Sequence, residues 1–264
     1  MNNNISTIIT IYKTPLEKLY NLRQYKNFNL ILFEQNSNFN SKKKIKKILN
    51  FEFKYFFSKK NIGLTKSSNF LLRKVKTKYV LFTQADVILN PEIILKLRKI
   101  LYKNQNLIFI TPNLHNKKKK KKDLSLVKKV QAACMLCDVK KINKIGFFDE
   151  DFFLYWEDID LMKRINNSKF KMGIANNIYA KHLSSQSSEN SLRTLFLRSS
   201  NFTYGEFVYD FKYKKLRLLK ITRKIIKNLF LFLFHIIIFK FKKSFINLSI
   251  IYGVLKFILY YLKK

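Results

Sequence analysis

The sequence predicts an α/β domain followed by a basic, apolar helical tail. Short β-branched or aromatic segments alternate with helical patterns along most of the chain, and 264 residues of which 47% are hydrophobic can bury a core. Such alternation favours parallel strands joined by crossover helices. Residues 211–264 differ, since they contain 14 Lys and Arg and no acidic residue. We therefore expect one domain over residues 1–210 and a separate tail over 211–264.

Local patterns support each element of the first half of the chain. Runs of β-branched and aromatic residues, typical of buried strands, predict strands over 5–12, 28–33, 51–57, 79–82 and 107–110. Helices are predicted between them where turn-forming residues precede helical spacing. Pro15 stands near the start of the first helix, Gly63 precedes a helix over 64–75, and Pro91 precedes one over 92–102.

The second half contains fewer elements. Apolar runs predict strands over 130–139 and 170–179, and a helix is predicted over 191–208. In the tail, 229–239 is too short to span a membrane and 245–262 is borderline, because a span needs about 20 apolar residues. Basic residues ahead of apolar helices fit an interfacial or re-entrant membrane anchor. A helical hairpin packed on the domain and a true span are the alternatives.

The net charge of +37, from 53 Lys and Arg against 16 Asp and Glu, would attract any polyanion. A basic nucleic-acid-binding protein is therefore a competing class. Abundant Lys, Asn, Ile and Phe with only 5 Gly and 3 Pro are equally typical of an A+T-rich genome. Six consecutive lysines over 117–122 repel one another, which predicts a solvated loop.

Cysteine content and the N-terminal sequence indicate the compartment. Two cysteines exclude a disulfide framework and favour a reducing environment. No basic stretch precedes the first apolar run, so we expect no secretory signal.

Polar segments follow three of the predicted strands, at 34–38, 61–63 and 84–86. Ligands of such sheets bind beyond the carboxyl ends of the strands, so these segments predict one shared crevice. Asp86 is the only carboxylate of the third segment, and a hard oxygen ligand there suits Mg²⁺ or Mn²⁺ shared with phosphate. An ordinary loop aspartate is the alternative.

Acidic residues are concentrated in one place. Six of the 16 lie within 12 residues: Asp149, Glu150, Asp151, Glu157, Asp158 and Asp160. Carboxylates also stabilise the first turn of a helix, which is the structural explanation. Their concentration in a basic chain favours a local need for negative charge. A carboxylate beside aromatic rings is a suitable general base facing a sugar.

The segment from Gly146 to Arg164, GFFDEDFFLYWEDIDLMKR, resembles the signature G-x-F-D-E-x-F-F-x-Y-x-E-D-x-D-L-x-x-R of family 2 glycosyltransferases. The resemblance is closest to the rhamnosyltransferase-like branch that builds bacterial surface polysaccharides. It extends from Ile5 to His182. Further matching positions follow in the family's order: Asn61, Gly63, Asn69, Asp86, Asn90-Pro91 and Ala132-Ala133.

The resemblance implies a GT-A fold, which is a nucleotide-binding mixed sheet flanked by helices, and an inverting glycosyltransferase. It implies that Asp158 is the catalytic base with Glu157 as its partner, and that Asp86 and His182 hold a divalent cation. Implied contacts to the nucleotide sugar are Thr10, Tyr12, Glu34, Asn61, Gly63, Asn69, Gln84 and Asp86. Implied contacts to the acceptor are Tyr155, Trp156 and Arg164.

The implied partners are a nucleotide-diphosphate sugar and a saccharide or lipid-linked acceptor at the inner face of the cell membrane. Two positions depart from the family pattern. Gln84 replaces the first carboxylate of the metal-binding D-x-D motif, and Glu34-Gln35 replaces Asp-Asn at the nucleotide base. A catalytically inactive relative is therefore a further alternative.

Overall fold

The computed structural model describes residues 4–35, 41–114, 122–184 and 186–264. Residues 36–38 of the first polar segment and the lysines at 117–121 lie outside the described residues, as does Ser185.

An eight-stranded mixed sheet forms the centre of the domain, in the order β3-β2-β1-β4-β8-β6-β9-β7. A separate pair is formed by β5 and β10. The strands are β1 (Ile5–Tyr12), β2 (Leu30–Gln35), β3 (Lys54–Ser58), β4 (Tyr79–Thr83), β5 (Val87–Ile88), β6 (Leu107–Asn113), β7 (Leu124–Val127), β8 (Cys134–Asp138), β9 (Lys171–Tyr179) and β10 (Lys181–His182).

Strands β1 to β4 are parallel as expected, and the sheet is mixed as the family resemblance implies, because two further strands, β8 and β7, run antiparallel to their neighbours. Strand β8 runs antiparallel to both β4 and β6, and β7 runs antiparallel to β9. The described residues between β6 and β8 contain β7 and no helix. A parallel return usually has a helix as its crossover, so a connection that carries a strand is compatible with the antiparallel direction of β8.

Nine α-helices lie in the described ranges: α1 (Leu16–Tyr20), α2 (Lys42–Leu49), α3 (Leu64–Arg73), α4 (Pro91–Lys103), α5 (Val139–Ile145), α6 (Glu157–Asn166), α7 (Leu192–Lys212), α8 (Leu218–Ile237) and α9 (Phe241–Tyr261). Side-chain caps explain where several begin. Asn90 accepts the Glu92 N–H, Asp138 accepts the Lys141 N–H and Ser191 accepts the Thr194 N–H. The cap at Asp138 also explains why the strand expected over 130–139 ends at Asp138, whereas its observed start is Cys134.

The described chain forms two compact units. The sheet unit comprises residues 1–149 and 158–189, and the helical unit comprises 150–157 and 190–264. The boundary expected at 210/211 therefore falls inside the helical unit.

Both faces of the sheet are buried. Alternate residues of the central strands point to opposite faces, so Ile9 and Leu81 belong to one core while Ile8 and Val80 belong to the other. This accounts for the nearly continuous apolar runs of β1, β2 and β4.

Helices α7 and α9 pack closely in the helical unit. The rings of Phe207 and Phe257 stack with centroids 5.4 Å apart. A Cβ atom on Gly253 of α9 would lie 2.3 Å from the carbonyl oxygen of Ser200 of α7. Gly253 is therefore required by the approach of two backbones.

We expect Gly253→Ala to lower the free energy of unfolding by about 1–3 kcal/mol, the usual cost of overpacking a core. Chemical denaturation followed by circular dichroism measures the effect. Leu255→Ala on an exposed position of the same helix should change it by less than about 0.5 kcal/mol. Equal stability of both variants would contradict the close packing.

Candidate active site

Asp86 and His182 meet beyond the carboxyl end of β4. The antiparallel pairing of β5 with β10 places His182 opposite Val87, next in sequence to Asp86. The His182 Nε2 and Asp86 Oδ1 atoms lie 3.6 Å apart. Both atoms are buried, and neither has a hydrogen-bond partner among the described residues.

The opposite sides of these two groups are held in place. The backbone N–H of Gln186 donates to Asp86 Oδ2 over 3.1 Å. The side-chain amide of Gln131 lies 2.8 Å from His182 Nδ1. The two atoms without hydrogen-bond partners are therefore held 3.6 Å apart.

This arrangement fits a divalent cation. A distance of 3.6 Å is too long for a hydrogen bond, and two ligands of one ion lie roughly 3 Å apart. No group of three or more His, Cys, Asp or Glu side chains converges in the described ranges. Mg²⁺ and Mn²⁺ are commonly bound by one or two protein ligands together with phosphate and water, so two suffice here.

The charge of Asp86 also suits a cation. Burial by itself raises the pKa of this carboxyl, but His182 and the Gln186 N–H outweigh burial, so the pKa lies below its ordinary value. Asp86 is therefore ionised at neutral pH. Gln84 lies two residues earlier, and its carbonyl accepts the Val87 N–H in the turn that carries Asp86.

A second polar group lies at the carboxyl ends of β1 and β2. Register places Tyr12 opposite Gln35 and Ile11 opposite Glu34. The hydroxyl of Tyr55 donates to Glu34. Thr10 Oγ1 lies 3.0 Å from the Ser67 hydroxyl, in the first turns of α3.

The turn before α3 is fixed by side chains. Asn61 Oδ1 accepts the Gly63 N–H over 3.0 Å, and Gln35 Oε1 accepts the Ile62 N–H over 2.9 Å. Gly63 has φ +89°, a conformation that favours glycine. The sheet edge thus carries Thr10, Tyr12, Glu34, Asn61 and Gly63, and their contacts with a nucleotide stay a prediction.

Asn69 lies further along α3 and contacts the acidic segment. Its side-chain amide donates to the Phe148 carbonyl over 2.8 Å, and its carbonyl accepts the Phe148 N–H over 3.1 Å. In this structure Asn69 links α3 to the residues just before Asp149. Its contact with a nucleotide sugar stays a prediction.

Asp158 lies in the first turn of α6 and is half-buried. Its Oδ1 accepts the Ile159 N–H over 2.8 Å. Burial outweighs this contact and raises the pKa of the Asp158 carboxyl. A raised pKa brings a carboxylate closer to the range in which it can accept and release protons near neutral pH.

Arg164 is occupied by structural contacts. Its Nε donates to the fully buried Asp160 over 2.7 Å, and its two terminal nitrogens donate to the carbonyls of Ile145, Gly146 and Phe147. The guanidinium therefore fixes the turn that precedes the acidic segment. Acceptor binding by Arg164 stays a prediction that these contacts do not favour.

The helical unit carries the aromatic residues ahead of α6. Tyr155 and Trp156 have φ +69° and +70°, a strained conformation for bulky side chains that costs about 1–3 kcal/mol each. The Trp156 ring lies 5.7 Å from Phe202 and 5.4 Å from Tyr209, between ring centroids. A Cβ on Gly205 would lie 2.9 Å from Trp156 Cδ1, so glycine permits this packing.

Glu157 and Tyr155 lie at or beside the strained positions, and both are largely removed from solvent. Glu157 is buried, and burial raises the pKa of Tyr155 although Arg198 opposes that effect. Backbone strain of this kind concentrates at functional sites, because surrounding packing must maintain it.

Gln131 and Gln186 are site residues that the sequence patterns did not identify. Gln131 is 51 residues away from His182 in sequence. The sequence held one indication of its role, since Gln131 directly precedes Ala132-Ala133, which match the family pattern.

The family model described as Glycosyl transferase family 2 matches residues 7–162, which is more than half of the chain. No curated protein matches the chain significantly.

Solved structures resemble this chain at 11–13% identity. GalNAc-T7 with UDP, GalNAc and Mn²⁺ has a TM-score of 0.58 and covers 78% of this chain and 48% of its own. The mannosyltransferase PcManGT from Pyrobaculum calidifontis with GDP-Man and Mn²⁺ has a TM-score of 0.57, and the match covers 78% of this chain and 64% of the mannosyltransferase chain. S. aureus TarS 1–349 with UDP has a TM-score of 0.52, and the match covers 76% of this chain and 65% of the TarS chain. This chain spans less than two thirds of each, and the likeness shows a GT-A fold.

We expect Arg164→Met to destabilise the protein by about 3–5 kcal/mol, because it removes the cation paired with the buried Asp160. Denaturant unfolding measures the loss, with the neighbouring Lys163→Met as control. An unchanged free energy of unfolding would reject the structural role and favour acceptor binding.

Proposed function

The chain belongs to glycosyl transferase family 2, and we propose that it is an inverting enzyme that transfers a sugar from a nucleoside-diphosphate donor to an acceptor hydroxyl. The observation that carries this proposal is the pair of buried, unpartnered atoms of Asp86 and His182 beyond β4. The structurally similar proteins, solved with UDP or with GDP-Man, support a donor of this chemical class, and two of those structures contain Mn²⁺.

We assign the donor side of the reaction to the sheet edge. Thr10, Tyr12, Glu34 and the 61–63 turn are assigned to the nucleotide, and Asp86 with His182 would hold a divalent cation. The cation, when bound, neutralises charge that develops on the leaving diphosphate. Gln84 stands where the family pattern has a carboxylate, so this site carries one negative charge fewer to repel the diphosphate.

The acceptor side is assigned to Asp158. The acceptor oxygen attacks the anomeric carbon, the bond from that carbon to the diphosphate breaks, and the proton passes to the Asp158 carboxylate. The raised pKa of Asp158 makes it a stronger base than an ordinary aspartate. Glu157, Tyr155 and Trp156 are assigned to the acceptor, with the aromatic faces packing on sugar.

The signature over 146–164 supports a rhamnosyltransferase-like enzyme of surface-polysaccharide synthesis. The same reasoning assigns it a saccharide or lipid-linked acceptor. A screen of nucleotide sugars, rhamnose donors included, with release of nucleotide as readout identifies the donor. Transfer from any of them excludes an inactive relative, and salt-dependent RNA binding without sugar-nucleotide binding would favour the nucleic-acid class.

We expect Asp158→Asn to reduce transfer by roughly 10²–10⁴-fold, because the base is lost. The folded state disfavours the ionised carboxyl, so the variant should be at least as stable as wild type at neutral pH. In the wild type, kcat/KM should fall as pH falls through the raised pKa, at a higher pH than for an ordinary aspartate.

Asp123→Asn is the matched control, since the Asp123 side chain accepts an exposed hydrogen bond from Asn177. Its transfer rate should equal that of wild type. A wild-type rate in folded Asp158→Asn would overturn the base assignment.

We further propose that α8 and α9 hold the enzyme on an anionic membrane surface, at the inner face of the cell membrane. Helix α8 exposes apolar residues at helical spacing: Ile226, Leu229, Phe230, Leu233 and Ile237. Helix α9 exposes a second such row: Leu248, Tyr252, Leu255 and Leu259. Continuous apolar surface of this kind marks an interaction site.

Charge favours an anionic membrane as the partner. The turn between the helices places Phe239 and Phe241, which are 80% and 62% exposed, among Lys240, Lys242 and Lys243. No acidic residue follows Asp210 in the sequence. Each cation near an anionic leaflet contributes about 1 kcal/mol.

The packing of α9 supports an interfacial position. Among the described helices α9 alone is long and apolar enough to cross a membrane. However, Val254 and Phe257 are buried within the helical unit, where Phe257 packs on α7. A helix with one face occupied in this way can lie in the interface with its other face in lipid.

We expect the full-length triple variant Phe230→Gln, Leu233→Gln, Ile237→Gln to bind vesicles at least about tenfold more weakly, since burying each side chain contributes about 1.5–3 kcal/mol. Sedimentation with phosphatidylcholine vesicles, with and without phosphatidylglycerol, measures binding. Wild type should prefer the anionic vesicles, and salt should weaken this preference.

The control replaces three exposed apolar residues of the sheet unit: Phe57→Gln, Tyr102→Gln and Leu126→Gln. It should bind as wild type does. Self-association of wild type without vesicle binding would overturn the membrane proposal and make a second copy of the chain the partner.

A further inference from the structure

Gln131 lies three residues before β8 and contacts the histidine of the proposed cation site. Its side-chain amide lies 2.8 Å from His182 Nδ1, and its Oε1 atom is buried without a hydrogen-bond partner among the described residues. We propose that Gln131 is a positioning residue that decides which ring nitrogen of His182 carries the proton. This inference rests on the proposed function, since it concerns the same site.

A neutral imidazole has one N–H and one lone pair, and only the lone pair binds a cation. A glutamine amide presents either its NH₂ group or its oxygen after a half turn about its terminal bond. With NH₂ facing Nδ1, the ring proton lies on Nε2 and faces the Asp86 carboxylate. With oxygen facing Nδ1, the proton lies on Nδ1 and the Nε2 lone pair faces the cation position.

The amide therefore fits both states of the site. Without a cation, Nε2–H faces the ionised Asp86, 3.6 Å away. With a cation, the turned amide accepts from Nδ1–H and orients the ring as a ligand. Outer partners of this kind commonly change metal affinity by roughly 10–100-fold when removed.

The other contacts around the pair do not control this choice. Asp86 is held by backbone groups, namely the N–H of Gln186 on Oδ2 and the N–H of Leu183 on its carbonyl. The Ser184 hydroxyl also approaches Nδ1, but at 3.4 Å and in an exposed position. Gln131 makes the shorter and more buried contact with the ring.

The test uses ¹⁵N-histidine labelling of the full chain. The protein has three histidines, so the ring signals of His182 are identified as those missing in His182→Asn. Two-bond couplings between ring protons and nitrogens report the tautomer. Mn²⁺ alone is titrated in parallel, with free Mn²⁺ measured by electron paramagnetic resonance.

We expect Gln131→Glu, which can only accept, to hold the Nδ1–H form and to keep or raise Mn²⁺ affinity. Gln131→Leu should lose the preference for one tautomer and bind Mn²⁺ roughly 10–100-fold more weakly. Two variants with opposite expected effects separate this role from general destabilisation.

Gln24→Leu is the matched control. Gln24 donates to the Val87 carbonyl and accepts the Leu89 N–H, both over 2.8 Å, so it braces β5 without contacting His182. It should leave the tautomer and the Mn²⁺ affinity unchanged.

An unchanged tautomer and affinity in Gln131→Leu, or an equal loss in Gln24→Leu, would overturn the inference. So would wild-type His182 signals that Mn²⁺ leaves unaltered. Sugar transfer is measured separately, so an active enzyme with this result would retain the proposed function and lose only the role of Gln131.

Discussion

The buried pair of Asp86 and His182 is the constraint on which the rest of the sheet unit depends. Leaving a buried polar atom without a partner costs about 1–3 kcal/mol, so two such atoms side by side require firm support. The chain supplies it from distant places. Strand β4 ends at the centre of the sheet, the β5–β10 ladder places His182 opposite Val87, and the backbone of Gln186, 100 residues after Asp86, fixes the carboxylate. A site that is costly when empty is stabilised by the ligand that completes it.

The acidic residues between 149 and 160 are close together in sequence but make different contacts in the structure. Asp160 is buried and pairs with Arg164, which fixes the turn over 145–147. Asp151 accepts from the Tyr260 hydroxyl over 2.7 Å, and both residues belong to the helical unit. Asp158 is half-buried with a raised pKa, the condition of a base and not of a stabilising ion pair. Burying this ionisable carboxyl lowers the stability of the folded state at neutral pH, as is common for residues retained for catalysis.

The large positive charge has a different meaning in each unit. On the helical unit Lys220 and Lys224 pair with Glu206 and Asp210, so part of it binds α8 to α7. The lysines of the α8–α9 turn lie beside exposed aromatic rings, where they favour an anionic surface. The apolar rows of both helices support the same interpretation, because water does not favour such surface.

The sequence by itself determined the type and order of most elements, since strand and helix periods are local properties of β1, α3, α4 and α7. It also determined the family, through the signature over 146–164, and selected Asp86, His182 and Asp158 as candidates. Only the tertiary structure decided that β8 runs antiparallel, that Arg164 is occupied internally, and that Asn69 contacts Phe148. It also placed Gln131 on His182. These features depend on partners distant in sequence, and a local pattern carries no record of which distant atom a side chain will meet.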